Sequence, residues 1–578
     1  MTKGFWIVKG DKTSCGGTVL EGARTSSFGG NFLALNGSKV SCGVHPGVYK
    51  IAGGHPDHIH HGVNEASTLY SRSTCPCKAR LIPSQTWASH GLTPASPDTR
   101  MLQKPVRKIS LTLGVFFDGY DSEVIASGLV PEPCTARYHN VSDFEAETIL
   151  TKCAQDNFGT HGTDNSEPTS SPTNIQWLHR LYKHKYAIED DIARFSFLIK
   201  DGMYACAGDE SNSEARRRTS HAITIMRQEL KSYFLQLQGS HPDFRLLISA
   251  VQFDLFGFGR GAAAARHFAV RVHSRDEAIA QAFQDIFGDV PLMHESIRFI
   301  GIFDTLVLAD KRESIHRSCH NPGKCHETML SRGIADNVFH ITAEHEYRFN
   351  YVLDSIKPDW PEVALPGSHS DIGGGYLPVV TETHFLTRPH AGISEDGDWT
   401  VQAFEPECAP CMAPGSKALN PTKELWQAGS PSAKGDMVQP HYILSALSIR
   451  NRIVRNDWSK IALHVMIDAA QEAGLQLEEM HRYKELAIPH ELQPLYMKAI
   501  RMGKDVRSDR VTEKFFDDEI GLLAAGYIHS SANWNATIAG TITPHHARQR
   551  VSNLIGFVNR PEQHWRRTVV YMEANNII

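Results

Sequence analysis

Residues 245–272 read RLLISAVQFDLFGFGRGAAAARHFAVRV: a long β-type apolar run, a glycine-rich turn, and a strong helix former directly behind it. Two other runs have the same character. ISLTLGVFFDG (109–119) ends in Asp118-Gly119, and IRFIGIFDTL (297–306) carries Asp304 near its end. Buried strands alternating with helices predict a parallel, doubly wound α/β sheet, with functional loops at the carboxyl ends of the strands. The residues able to do chemistry fall at such ends.

The turn itself is Gly257-Phe258-Gly259-Arg260-Gly261. Small residues flank its middle position and alanines pack behind it, the setting of a G-x-S-x-G nucleophile elbow between strand and helix. Position 259 holds glycine, so there is no hydroxyl: either the natural residue has been replaced or the nucleophile was lost in descent. A rival reading takes Gly257-x-Gly259-x-x-Ala262 as a dinucleotide fingerprint, with Asp276 or Glu277 about twenty residues on as the ribose acid, implying an NAD(P)-binding enzyme. That acid should end a second strand, whereas RHFAVRVHSRDEAIAQAF reads on as helix. A third reading makes the turn a tight strand–helix crossing without chemistry.

An elbow needs an acid and an imidazole, which follow the nucleophile in that order along hydrolase chains of this type. Asp304 in IGIFDT and then His369 in PGSHSDIGGGY satisfy the order. A carboxylate at a strand end can orient an imidazole presented by a glycine-rich loop. Candidate oxyanion donors are the Arg260 N–H and a backbone N–H of the loop after VFFDG, from Gly119 or Tyr120. Asp118 reads as a turn cap, and Asp371 as a turn former.

The N-terminal stretch differs in composition. Glycine, serine and short β-type runs (FWIVKG, NFLALNG, GVYKIAGG) alternate with turn signals, predicting a small all-β unit over 1–87. So small a unit buries little apolar area, and a structural metal is the usual supplement where thiols stay reduced. Cys15 lies in GDKTSCGG, Cys42 and His45 in SCGVHPG, and Cys75 in STCPC. These are soft S and N donors in glycine-containing turns, as tetrahedral Zn²⁺ wants. Merely buried cysteines are the bland alternative. Residues 88–108 read as a linker, 109–384 as the α/β core, and 385–578 as an insertion and mostly helical region that completes it.

Two resemblances sharpen these expectations. GDKTSCGGTVLEG (10–22), LNGSKVSCGVHPGVYKIAGG (35–54) and STCPCKARLIPS (73–84) together resemble a PAAR domain over about residues 4–85. Such domains are pointed β-cones that cap the trimeric VgrG spike of type VI secretion machines and hold zinc near the tip. By position the resemblance implies Cys15, Cys42, His45 and Cys75 as ligands, with Cys77 or a residue of HPDHIHH (55–61) as the substitute for one. VFFDG, GFGRGAAAARHF, IGIFDT and PGSHSDIGGGY resemble the first family of type VI lipase effectors (Tle), α/β-hydrolases that cleave glycerophospholipids of rival bacteria. YIHSSANWN (527–535) and FVNRPEQHWRR (557–567) echo that family more weakly. The resemblance covers most of 109–380 and implies Gly259 at the nucleophile's position, Asp304 as acid and His369 as base. It further implies an antibacterial phospholipase A-type toxin, disarmed here by glycine. The implied partners are a VgrG trimer as carrier, the target cell's phospholipid membrane as substrate and an immunity protein. The implied route runs from the producer's cytoplasm to the target cell's periplasm.

Composition narrows the classes. Of 578 residues 41% are hydrophobic and 21% charged, which fits a globular protein and argues against wholesale disorder. A net charge of −5 gives no pull toward nucleic acid. Mean hydropathy is −0.31, no apolar run is long enough for a transmembrane helix, and MTKGFWIVKGDKTSCGG lacks the pattern of a secretory signal. Residues 385–440 read as an irregular insertion in which Cys408 and Cys411 make a single CxxC. YILSALSIRNRIVRNDWSKIALHVMIDAAQEAG (442–474) has apolar residues at helical spacing, predicting an amphipathic helix that packs on the core or meets lipid headgroups. Three functions therefore compete: a spike-borne phospholipase, a non-catalytic spike cap or binder on a degenerate hydrolase fold, and a nicotinamide-dependent enzyme.

Overall fold

The computed structural model describes residues 3–28, 30–86, 89–91, 104–119, 132–156, 158, 171–182, 185–199, 214–288, 294–307, 326–393, 419–428, 442–538 and 550–571. The chain divides into two compact units, Met1–Pro105 with Asp243–Arg245, and Val106–Pro242 with Leu246–Ile578.

The smaller unit is built from very short antiparallel strands, such as Lys39–Ser41, Val48–Ala52 and Arg72–Ser73 in one three-stranded sheet. Its main apolar cluster is small: Ile7, Val19, Ala34, Val40, Ile51, Ala66 and Leu81. Lys3–Phe5 pairs with Ser89–Gly91, so the β unit closes at Gly91 and not at 87, and the expected linker loses its first residues to a strand. Residues 92–103 of that linker lie outside the described residues. In HPDHIHH (55–61) the His55 side chain is buried against the Trp6 ring.

The larger unit carries the predicted sheet. Its strands are β1 (Val106–Phe117), β2 (Lys185–Glu189), β3 (Ile192–Ile199), β4 (Arg245–Phe258), β5 (His294–Phe303), β6 (Asn337–Ala343) and β7 (Glu362–Leu365). They lie in the order β2-β3-β1-β4-β5-β6-β7. β1 runs parallel to β3, and β4, β5, β6 and β7 run parallel to their successive neighbours, while β2 is antiparallel to β3. β1 begins at Val106, so the boundary expected after 108 falls inside a strand.

Burial on both faces explains the near-continuous apolar runs. Phe117, Leu255 and Ile302 belong to one cluster with Met226 of α2 (Glu214–Ser240) and Phe268 of α3 (Arg260–His273). Phe116, Phe256 and Phe303 belong to the opposite cluster with Leu178 of α1 (Asn174–Leu181) and Met466 of α6 (Asp457–Glu472). Adjacent residues thus point to opposite layers, as the strand period of two requires. The sheet order reverses between β1 and β4, and the crevice outside the carboxyl ends of those strands is where a ligand site belongs.

The tail departs from expectation. Tyr442–Arg455 is a strand, the centre of an antiparallel four-stranded sheet with Val379–Phe385, His390–Ile393 and Thr422–Ala428. β-branched Ile443, Ile449, Ile453 and Val454 suit a strand, and its three strand partners decide the matter. Helix begins only at Asp457, and α6 buries Trp458, Ile461, Ala462, Val465 and Met466 among others. A helix apolar on most sides belongs to a core, which leaves this one no face for lipid headgroups. The segment 385–440 contains strands as well as loops, while Cys408 and Cys411 lie outside the described residues. Among the described residues no helix is long and apolar enough to cross a membrane.

Candidate active site and thiol cluster

β4 ends at Phe258 and α3 starts at Arg260, leaving Gly259 alone at the bend with φ 57° and ψ −118°. A side chain there sits in strained backbone at a cost of about 1–3 kcal/mol, a strain typical of functional turns. The flanks are closed by contact. A Cβ on Gly257 would lie 2.5 Å from the Ala262 Cα, and one on Gly261 would lie 2.3 Å from the Phe117 carbonyl oxygen. Glycines at those positions let the helix cross against the strand, which is what the G-x-x-x-G spacing of an elbow is for. The Gly259 N–H donates to the Phe303 carbonyl at 3.0 Å, locking the bend to the end of β5.

Asp304 follows β5, fully buried, with φ 40°. Its Oδ1 accepts from the Ala343 N–H at 2.9 Å and its Oδ2 lies 2.5 Å from His369 Nδ1. His369 is the first residue of the short helix α5 (His369–Gly373), whose entry is fixed by Ser368 N–H and Oγ donating to Asp371 Oδ2 at 2.8 Å. The imidazole stacks on Phe258 at 4.4 Å, and a Cβ at position 259 would stand 2.8 Å from its Nε2. The structure thus brings the predicted Gly259, Asp304 and His369 together. With Nδ1–H given to the carboxylate, Nε2 is left as an acceptor facing position 259.

Electrostatics support that assignment. Burial alone would raise the Asp304 carboxyl, but the Arg567 guanidinium and His369 outweigh it and hold it far below the carboxylate range. Burial depresses His369, with the Asp304 hydrogen bond opposing. Glu346 accepts the His369 backbone N–H at 3.1 Å and pairs with Arg348 at 2.8 Å. Against the upward push of burial, Arg348 brings Glu346 down to about 2. Glu362, beside His340, and Glu382, beside Arg452, are also held at about 2 against burial. All three carboxyls bind fewer protons folded than unfolded, so their contribution is complete above an ordinary value of 4.5 and drains away toward pH 2. The larger unit is therefore expected to lose stability steeply between those values, which denaturant titrations at stepped pH will show.

Of the two oxyanion candidates, Arg260 opens α3, so its N–H belongs to the helix's first turn of donors. The Gly119 N–H donates to the Asp118 carboxylate at 2.9 Å. The alternative, Tyr120, lies outside the described residues. Asp118 also accepts from Thr173 Oγ1 at 2.9 Å and Gln176 Nε2 at 2.6 Å, which makes it the cap that was expected. Asp118→Ala strands three donors in a buried setting and should lower unfolding free energy by about 2–3 kcal/mol in urea titrations.

Asp371 caps α5, as its turn-forming reading implied, and also takes His529 Nδ1 at 2.6 Å. The dinucleotide reading fails on geometry. Asp276 is the N-cap of α4 (Glu277–Phe287), its side chain accepting from the Ala278 N–H, and does not end a strand. Arg567, Glu346 and Arg348 were not singled out from the sequence; Arg567 does lie within FVNRPEQHWRR, a segment already noted.

In the smaller unit the Sγ atoms of Cys15, Cys42, Cys75 and Cys77 all lie within 4.8 Å of one another. Cys15–Cys42 is 3.5 Å and Cys42–Cys77 is 3.8 Å. A tetrahedron with metal–sulfur bonds of about 2.3 Å has edges of about 3.8 Å, so the group fits a metal. The Thr13 hydroxyl, with the Gly43 backbone, brings the Cys15 thiol down to about 6. His45 is not a member of the cluster. Its turn directs the backbone N–H to Cys42 Sγ at 3.4 Å, and Cys77, two residues after Cys75, supplies the fourth sulfur.

Residues 9–83 match the PAAR motif family. No curated protein matches the chain. The solved Tle1 effector bound to the VgrG spike of the type VI secretion system is 31% identical, over 81% of this chain and 95% of that one, with a TM-score of 0.67. An uncharacterized protein from Pseudomonas aeruginosa is 15% identical over 72% of this chain and 53% of that one, and its TM-score of 0.28 carries no argument. At the identity and coverage of the first of these, the chain belongs to the Tle1 family of type VI secretion effectors, with a PAAR motif in its N-terminal unit.

Proposed function

We propose that this effector is a phospholipase A-type ester hydrolase borne on a VgrG spike, and that glycine at 259 keeps the present chain inert. One observation carries the reading: the strained bend aims position 259 at His369 Nε2, 2.8 Å from where a Cβ would stand, and Asp304 holds the other ring nitrogen. With serine at 259, Nε2 removes the hydroxyl proton as Oγ bonds to the acyl carbonyl carbon and the carbonyl electron pair moves onto oxygen. The Arg260 N–H, at the positive end of α3, steadies that oxyanion, a donor of a kind typically worth about 3–4 kcal/mol. Collapse breaks the ester C–O bond, and His369 hands its proton to the departing lysolipid oxygen. Water then repeats the sequence on the acyl-enzyme. Asp304 stays ionised throughout.

At the tip, the four sulfurs would hold zinc, whose role there is structural. The PAAR unit would seat on the VgrG trimer, the target cell's glycerophospholipid would be the substrate, the periplasm the place of delivery and an immunity protein the antidote. The glycine itself favours a second reading, a non-catalytic cap or binder. A fluorophosphonate probe separates the two. It should label Gly259→Ser stoichiometrically, in a manner lost with His369→Ala, and leave the glycine form untouched. A serine form that takes no label and releases no fatty acid from a phospholipid panel would leave only the binder.

A further inference from the structure

Asp304 has more donors than orienting an imidazole requires. Besides Ala343 and His369, it takes Arg567 through both oxygens, Nη1 to Oδ1 at 2.6 Å and Nη2 to Oδ2 at 2.9 Å. The remaining nitrogen of the fork, Nε, donates to the Tyr351 carbonyl at 2.8 Å, and the Tyr351 ring meets the His369 ring edge-on at 5.0 Å. The Arg567 side chain is 7% exposed and Asp304 is not exposed at all. The arginine is held in place from behind, where Val569–Val570 pairs in parallel with Leu353–Asp354 and the Leu353 N–H donates to the Thr568 carbonyl at 3.0 Å.

We propose that Arg567 is the positioning residue of the Asp304–His369 pair: a fixed cation that keeps the carboxylate ionised, holds it in register and tempers its pull on the imidazole proton. The role as stated for catalysis rests on the hydrolase reading; the coupling between the three side chains does not. Carboxylate and imidazole together bear one negative charge without a proton and none with one proton. Arg567 stabilises the unprotonated pair, so removing it must raise the pair's apparent pKa. The other groups facing His369 have partners of their own. Glu346 is paired with Arg348, the Tyr351 ring lies beneath the Arg348 guanidinium, and Asp371 on the same helix meets His529 Nδ1.

The test uses the full chain with its glycine. In histidine labelled with ¹³C at Cε1, the His369 resonance is assigned by its loss in His369→Gln, and its titration midpoint is followed. Arg567→Met should move that midpoint up by about one pH unit, and Arg567→Lys, which keeps the charge but not the fork, by less. In the Gly259→Ser background the acid limb of kcat/KM should shift the same way. A packing residue would lower Tm and leave the midpoint where it was, and an unmoved midpoint in either folded variant overturns the proposal. Arg567→Lys preserves the test should Arg567→Met not fold. If the serine form hydrolyses nothing while the midpoint still moves, the lipase reading falls and the role of Arg567 in the pair stands.

Discussion

Serine at position 259 is expected to raise the rate of glycerophospholipid hydrolysis by about 10⁴-fold or more over the present chain, and Asp304→Asn added beside it to remove about 10⁴-fold of that gain. The first figure follows from what is already in place. His369 Nε2 faces the bend, Asp304 fixes the ring, and the attacking oxygen is what position 259 lacks. The second follows from the tautomer: an amide at 304 donates where the carboxylate accepts, which turns the wrong ring nitrogen to the nucleophile. Gain of activity should come with loss of stability. Serine must adopt φ near 57°, at a cost of about 1–3 kcal/mol, and its Cβ would sit too close to a ring pinned by Asp304 and stacked on Phe258. Fatty-acid release and denaturant midpoints measured on the same preparations check both halves. A serine form that is active yet no less stable would mean that the bend is relaxed and that strain is not what presents the nucleophile.

What the sequence made legible was whatever close neighbours in the chain impose. The elbow was readable because Gly257 and Gly261 answer to contacts made by the turn that contains them. The meeting of Asp304 with His369 was readable because their order along the chain follows the order of strands in a wound sheet. Arg567 was not, since it reaches Asp304 across 263 positions and no local pattern marks an arginine as the partner of a distant carboxylate. The segment 442–455 deceived for another reason: its apolar residues fit a period of 3.6 as well as a period of two, and the sheet partners that decide between them are remote. Gly119 was singled out as an oxyanion donor, but the aspartate immediately before it takes the same N–H. In the smaller unit, Cys77 lies two residues from Cys75 and His45 three from Cys42, so sequence distance hardly separated them. The direction of one turn chose between them.

Zinc at about one equivalent per chain is expected in the purified protein, and its loss should unfold the smaller unit. Strands of two to five residues around so small an apolar cluster leave little stability to spare. A four-sulfur zinc site contributes on the order of 10–16 kcal/mol to folding in small domains, comparable to the whole stability of an ordinary one. Combined Cys15→Ser and Cys42→Ser should therefore remove the metal and open residues 3–91 to protease, while the larger unit keeps its own sheet and core. The ligand assignment has a sharper consequence. Cys77→Ser should weaken metal retention against a competing chelator about as much as Cys75→Ser does, and His45→Ala should barely change it, because only the His45 backbone touches the cluster. Elemental analysis after chelator challenge reads all of these. Metal lost from His45→Ala but kept by Cys77→Ser would restore the imidazole as the fourth ligand, and the geometry of four sulfurs at tetrahedral spacing would then have to be read as cysteines merely packed together.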